Sequence, residues 1–164
     1  MTTEPRRTLS SPPCNRDDAE TQSRGHAGRE EIFALCNELL AAERAGARIT
    51  WRLREETQDA ELAPLMDRVH DDERASCRLL LKVIRQIDGE ALAGVGDFEG
   101  KVMALADETD RIALLNRGQA WVVRRLEAIL PRIDDAEVAS CLQSMLELHR
   151  LNIAAAACWL DARA

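Results

Sequence analysis

The chain has 164 residues, a formal net charge of −7, and a composition that is 46% hydrophobic and 31% charged, with no Tyr, two Phe and three Trp. That length suits one domain with a sizeable core, and the scarcity of aromatic residues beside abundant Ala, Leu, Glu and Arg predicts an all-α protein. The 29 Asp+Glu interleaved with 22 Lys+Arg argue against a nucleic-acid binder, and no apolar run approaches the roughly eighteen residues that a membrane span needs.

Residues 1–28 are rich in Pro, Ser, Thr, Arg and Asp, with almost nothing to bury, and are expected to form a disordered tail in which His26 is solvated. They contain no hydrophobic stretch of the secretory-signal kind. The cysteines, at 14, 36, 77, 141 and 158, form neither a close pair nor an even set, which argues against a disulfide framework or a zinc knuckle. A cytoplasmic location is therefore expected, with the helical cysteines acting as small buried hydrophobes.

The bundle is expected over residues 29–164. The first helix should run from about Arg29 to Glu56, with the stripe Ile32, Cys36, Leu39, Glu43, Gly46, Thr50, Leu53 facing the core. Glu43 is the anomaly in that stripe. An unpaired buried carboxylate costs several kcal/mol, so the fold must give Glu43 a partner, a proton or a metal. Gly46, costly inside a helix, suggests a close approach by a neighbour. Trp51 is expected to pack at the bundle edge. After a turn at Thr57–Asp59, with Asp59 as N-cap, the second helix should span about Glu61 to Ile87 and stop at Asp88-Gly89. Its stripe, Leu62, Met66, Val69, Glu73, Ser76, Leu80, Val83, Ile87, is interrupted at Glu73 and Ser76. His70 lies one step off the stripe, where a partly exposed role is the simpler reading than contact with a site.

The glycine-bearing connection from Gly89, as long as about 18 residues, can travel back along the second helix, and its later turns from Phe98 can cap the bundle. The third helix continues through Leu105, Ile112, Leu115, Gln119, Val122, Leu126 and Ile129 to Pro131. Asp134 followed by Glu137 reads as the start of a fourth, with Val138, Leu142, Met145, His149, Asn152, Ala156 and Trp159 on one face.

A shift of 76 positions aligns Asp59-Ala60-Glu61-Leu62-Ala63 with Asp135-Ala136-Glu137-Val138-Ala139 and places Glu43 on Gln119, Glu73 on His149 and Ser76 on Asn152. The two halves form a weak internal repeat. In a bundle of antiparallel helices these interruptions stand at one level, with Glu43, Glu73, Gln119 and His149 around a common point and Ser76 and Asn152 one turn away.

With that spacing and repeat, residues 30–161 resemble the ferritin-like superfamily in its rubrerythrin and bacterioferritin style. The resemblance implies a four-helix bundle of two antiparallel pairs joined by a long crossover, with a di-iron site built from a Glu on helices 1 and 3 and a Glu-x-x-His on helices 2 and 4. Glu43 and Glu73 match two of those carboxylates. Ser76 stands at the second-helix histidine position, Gln119 at the third-helix glutamate position, and His149-x-x-Asn152 where Glu-x-x-His is expected. The surviving set, Glu43, Glu73 and His149, suits a single borderline ion, iron first, with manganese or zinc as alternatives, and Gln119, Asn152 and Ser76 as weak ligands or supports. Oxygen- or peroxide-linked redox chemistry is the activity that this resemblance implies.

Two other readings stand beside this one, the first of them built on the same residues. One is a metal-free polar network in which the two carboxyls share a proton or pair with His149. The other is a structural or interaction module in which helix faces, including the small surface at Ala154–Ala157, make a homodimer.

Overall fold

The structure, a computed structural model, describes residues 25–164. Most of the expected tail therefore lies outside the described residues. Where the description begins, Ala27 donates its backbone N–H to the Arg132 carbonyl, and the solvent-exposed His26 pairs with Asp134 at 2.7 Å. Among the described residues the regular structure is helical and no strand forms, with α1 at Arg29–Glu56, α2 at Leu62–Gln86, α3 at Phe98–Met103, α4 at Glu108–Ile129 and α5 at Ala136–Asp161. A short 3-10 turn, Leu130–Arg132, carries Pro131 and ends α4, since proline lacks the N–H that another α-helical turn would need.

The core falls into two apolar blocks. Ile32, Leu39, Leu80, Ile84, Leu126 and Leu142 belong to one, and Ile49, Leu53, Leu62, Met66, Ile112 and Trp159 to the other. The blocks give each helix its direction. α1 and α5 run from the first block to the second, whereas α2 and α4 run from the second to the first. α1 therefore lies antiparallel to α2 and α4 to α5, while the chain must return along the bundle between the end of α2 and the start of α4. Asn37 and Arg44 on α1 hold that return. The Asn37 side-chain oxygen accepts from the Leu92 N–H at 2.8 Å, and the Arg44 guanidinium donates to the carbonyls of Leu92 at 2.7 Å and Gly94 at 3.3 Å.

The expected helix from Phe98 onward is broken in the middle. α3 stops at Met103, and Asp107 begins α4 afresh by accepting the Asp110 N–H at 3.1 Å. Arg111 locks the break by donating to the Leu105 carbonyl at 2.6 Å. The second-helix stop comes at the expected place by a different residue. Asp88 takes the left-handed φ of 52°, while the Gly89 N–H reaches back to the Ile84 carbonyl at 2.8 Å. Gly89 is needed for space, because a Cβ there would stand 2.7 Å from the Phe33 ring.

The cap of α5 is Asp135, not Asp134. Its Oδ1 accepts from the Glu137 and Val138 N–H groups at 2.9 and 3.0 Å, while Asp134 turns outward to His26. Asp135→Ala is expected to lower the unfolding free energy by about 1 kcal/mol and Asp134→Ala by less, as measured by urea denaturation. Trp51, expected at a packed edge, is 57% exposed. No described helix is long and apolar enough to cross a membrane.

A candidate metal centre between the two core blocks

The layer separating the apolar blocks is polar and buried. α1 contributes Glu43, α2 contributes Glu73 and Ser76, α4 contributes Gln119, and α5 contributes His149 and Asn152, all at 5% exposure or less. Each sits at the stripe position read from the sequence, because a residue three or four places from apolar neighbours on both sides shares their face. One ligand atom from each of Glu43, Glu73 and His149 lies within 4.8 Å of the others.

The histidine is prepared in a specific tautomer. Its Nδ1 is 3.0 Å from the Met145 carbonyl, an acceptor only, so Nδ1 carries a proton and donates. In the neutral ring Nε2 is then a bare lone pair. It lies 3.2 Å from Glu43 Oε1, yet the two are not aligned as a hydrogen bond, and Nε2 and both Glu43 oxygens are left without hydrogen-bond partners among the described residues. Closely spaced acceptors facing one another in a dry core call for a proton or a cation.

The carboxyls respond to that environment. Burial pushes Glu43 up to about 8, against favourable contacts with Glu73 and Ser76. Burial pushes Glu73 well above the usual carboxylate range, and the adjacent Glu43 charge raises it further. Gln119 donates its amide to Glu73 Oε1, which fixes that carboxyl in place and leaves Gln119 Oε1 unpartnered.

The close approach suspected at Gly46 is that of Glu73 itself. A Cβ added to Gly46 would stand 2.5 Å from Glu73 Cδ and Oε2, so the absence of a side chain on α1 makes room for the α2 carboxyl. Thr50, also in the stripe, is satisfied within its own helix by donating to the Gly46 carbonyl at 2.9 Å.

Asn152 and His70 have other surroundings. The Asn152 amide faces Asp72, whose carboxyl is raised by burial while Asn152 opposes the rise, and His149 also acts on it. Asp72 was not legible as part of this layer, since it lies beside the α2 stripe in a run of charged residues. His70 is outside the cluster, with Nδ1 2.8 Å from the Ala47 carbonyl and 3.4 Å from the Thr50 hydroxyl. Cys36 and Cys77 are pushed by burial to about 12, which keeps them as inert thiols, and the four described cysteines are free.

Fold and site together define an all-α bundle with two carboxyls and one imidazole converging in its core. The chain belongs to the family described as Domain of unknown function (DUF6306), which matches residues 30–158. No curated protein and no solved structure matches it.

Proposed function

We propose that this protein is a ferritin-like bundle that holds a transition-metal ion between Glu43, Glu73 and His149. The observation that carries this reading is the convergence of their ligand atoms within 4.8 Å inside a buried layer, with His149 Nε2 and both Glu43 oxygens lacking hydrogen-bond partners among the described residues. Two hard carboxylates and one borderline imidazole favour iron or manganese, with zinc the alternative. Bound there, such an ion supplies a Lewis-acidic centre and, for iron or manganese, the redox capacity for oxygen- or peroxide-linked oxidation.

The chain's own groups orient the donors. The Met145 carbonyl keeps the His149 Nε2 lone pair directed inward, and Gln119 holds Glu73. The opposed directions of α2 and α4 relative to α1 and α5, with a long return between α2 and α4, support the ferritin-like reading of the topology.

A metal-free core is the second reading, favoured by the Gln119–Glu73 hydrogen bond and by the upward push on both acids, which lets a shared proton replace the ion. Elemental analysis separates the two. Protein purified after growth with iron, manganese and zinc is expected to retain about one ion per chain, and folded protein that takes up none of the three sinks the metal reading.

Gly46→Ala tests the geometry without removing a ligand. The added methyl displaces the Glu73 carboxyl but gains helix propensity, so stability should stay within about 1 kcal/mol while metal affinity falls about tenfold or more. Urea denaturation and chelator competition give the two readouts.

A further inference from the structure

α1 packs closely on α2, and α4 on α5, but α1 and α4 stand apart beside the polar layer. The gap is a pocket of about 410 Å³, within the range of roughly 300–1,000 Å³ typical of small-molecule sites. Small residues keep it open. Ala41, Ala42 and Ala45 form the α1 wall, facing Leu114, Gly118 and Trp121 on α4.

Phe98 of α3 closes one side. Its position depends on Gly118, since a Cβ there would stand 2.8 Å from the Phe98 ring. The inner surface is formed by Glu73 and Gln119, so the pocket joins the outside to the buried cluster. The Gln119 side chain is only 5% exposed, and its Oε1 is buried without a hydrogen-bond partner among the described residues.

The rim is charged asymmetrically. Glu38 is neutralised by Arg125 at 2.5 Å, whereas Arg117 is exposed and makes no ion pair among the described residues. The free charge at the opening is therefore a cation.

We propose that this pocket binds a small amphiphilic carboxylate, its apolar body between α1 and α4, its anionic end at Arg117, and its far end against Glu73 and Gln119. Binding stands on the pocket and its rim alone. That the far end is the reacting end rests on the metal reading above.

The test titrates octanoate and 1-octanol into the full chain by calorimetry, once after chelator treatment and once after metal loading, with metal content measured on the same samples. Octanoate is expected to saturate one site with a dissociation constant below about 1 mM. Arg117→Gln, an exposed change that leaves the core alone, should weaken octanoate roughly fivefold and leave 1-octanol unchanged. Ala42→Leu, which fills the pocket, should abolish binding of both while the helical circular dichroism is retained.

The proposal is overturned if chelator-treated and metal-loaded wild type both fail to bind octanoate saturably. It is equally overturned if folded Ala42→Leu binds as wild type does. Octanoate binding by protein that takes up no metal would support the pocket and remove only the metal reading.

Discussion

Glu73→Gln is expected to lower metal affinity by at least about 100-fold while leaving the metal-free protein within about 1 kcal/mol of wild-type stability. The two effects part because burial, and the Glu43 charge when that acid is ionised, push the Glu73 carboxyl well above the usual carboxylate range and so favour its protonated form in the metal-free core. Glutamine has nearly the shape of that acid. Its carbonyl can still accept from Gln119, and its amide can still donate toward Glu43, so the network closes without a charge. What glutamine lacks is the anionic oxygen that a cation needs.

Glu73→Ala should behave differently, because it leaves a cavity and an orphaned Gln119 donor and should cost about 2–4 kcal/mol. The comparison by chelator competition and urea denaturation separates loss of a ligand from loss of fold. His149→Gln should likewise release metal, since it removes the one imidazole whose lone pair faces Glu43. Wild-type metal affinity in Glu73→Gln would place the ion elsewhere.

The metal-free protein is expected to become less stable as pH rises from about 4.5 toward about 8, the interval over which burial displaces the Glu43 carboxyl. In that interval the folded chain holds protons that the unfolded chain has released, so each proton held in excess lowers the unfolding free energy with rising pH. The stability is fully present below the unfolded value and is lost as pH approaches the folded one. The slope is at most about 1.4 kcal/mol per pH unit for each such proton. Glu73 acts in the same direction, because burial and the adjacent Glu43 charge also raise it.

Metal loading should reverse the trend. A cation binds the deprotonated carboxylates, so its affinity rises across the same interval and binding releases protons. Urea midpoints at pH 5, 6.5 and 8, with chelator or with metal, provide the measurement. A metal-free midpoint that climbs with pH would mean that the carboxyls are solvated or already paired with a fixed positive charge.

Much of this site is legible in the amino-acid sequence, for a specific reason. A carboxylate in a helical stripe is so costly that its position alone demands a partner, and the 76-residue repeat puts the four interruptions at one level. Gly46 is legible on the same grounds, as a helix-interior glycine that only a close neighbour explains. The neighbour's identity is not, because Glu73 reaches Gly46 from another helix. Asp134 and Asp135 are equally plausible caps by residue type. The choice falls to Asp135 because His26, 108 positions away in the chain, supplies a partner for Asp134. Trp51 has an apolar side chain that implies packing, but it stays more than half exposed.

By itself, the sequence determined the all-helical class, the extents of α1 and α2, and the six polar residues of the core layer, since helical periodicity and burial cost are local properties of the chain. Tertiary structure alone decided which of those residues meet. It directed His149 Nε2 toward Glu43, turned Asn152 toward Asp72, sent His70 to the α1 backbone, and separated α1 from α4 so that a pocket reaches Glu73. Those outcomes depend on the rotation and spacing of whole helices, which are set by the summed packing of both apolar blocks and are written in no single stripe.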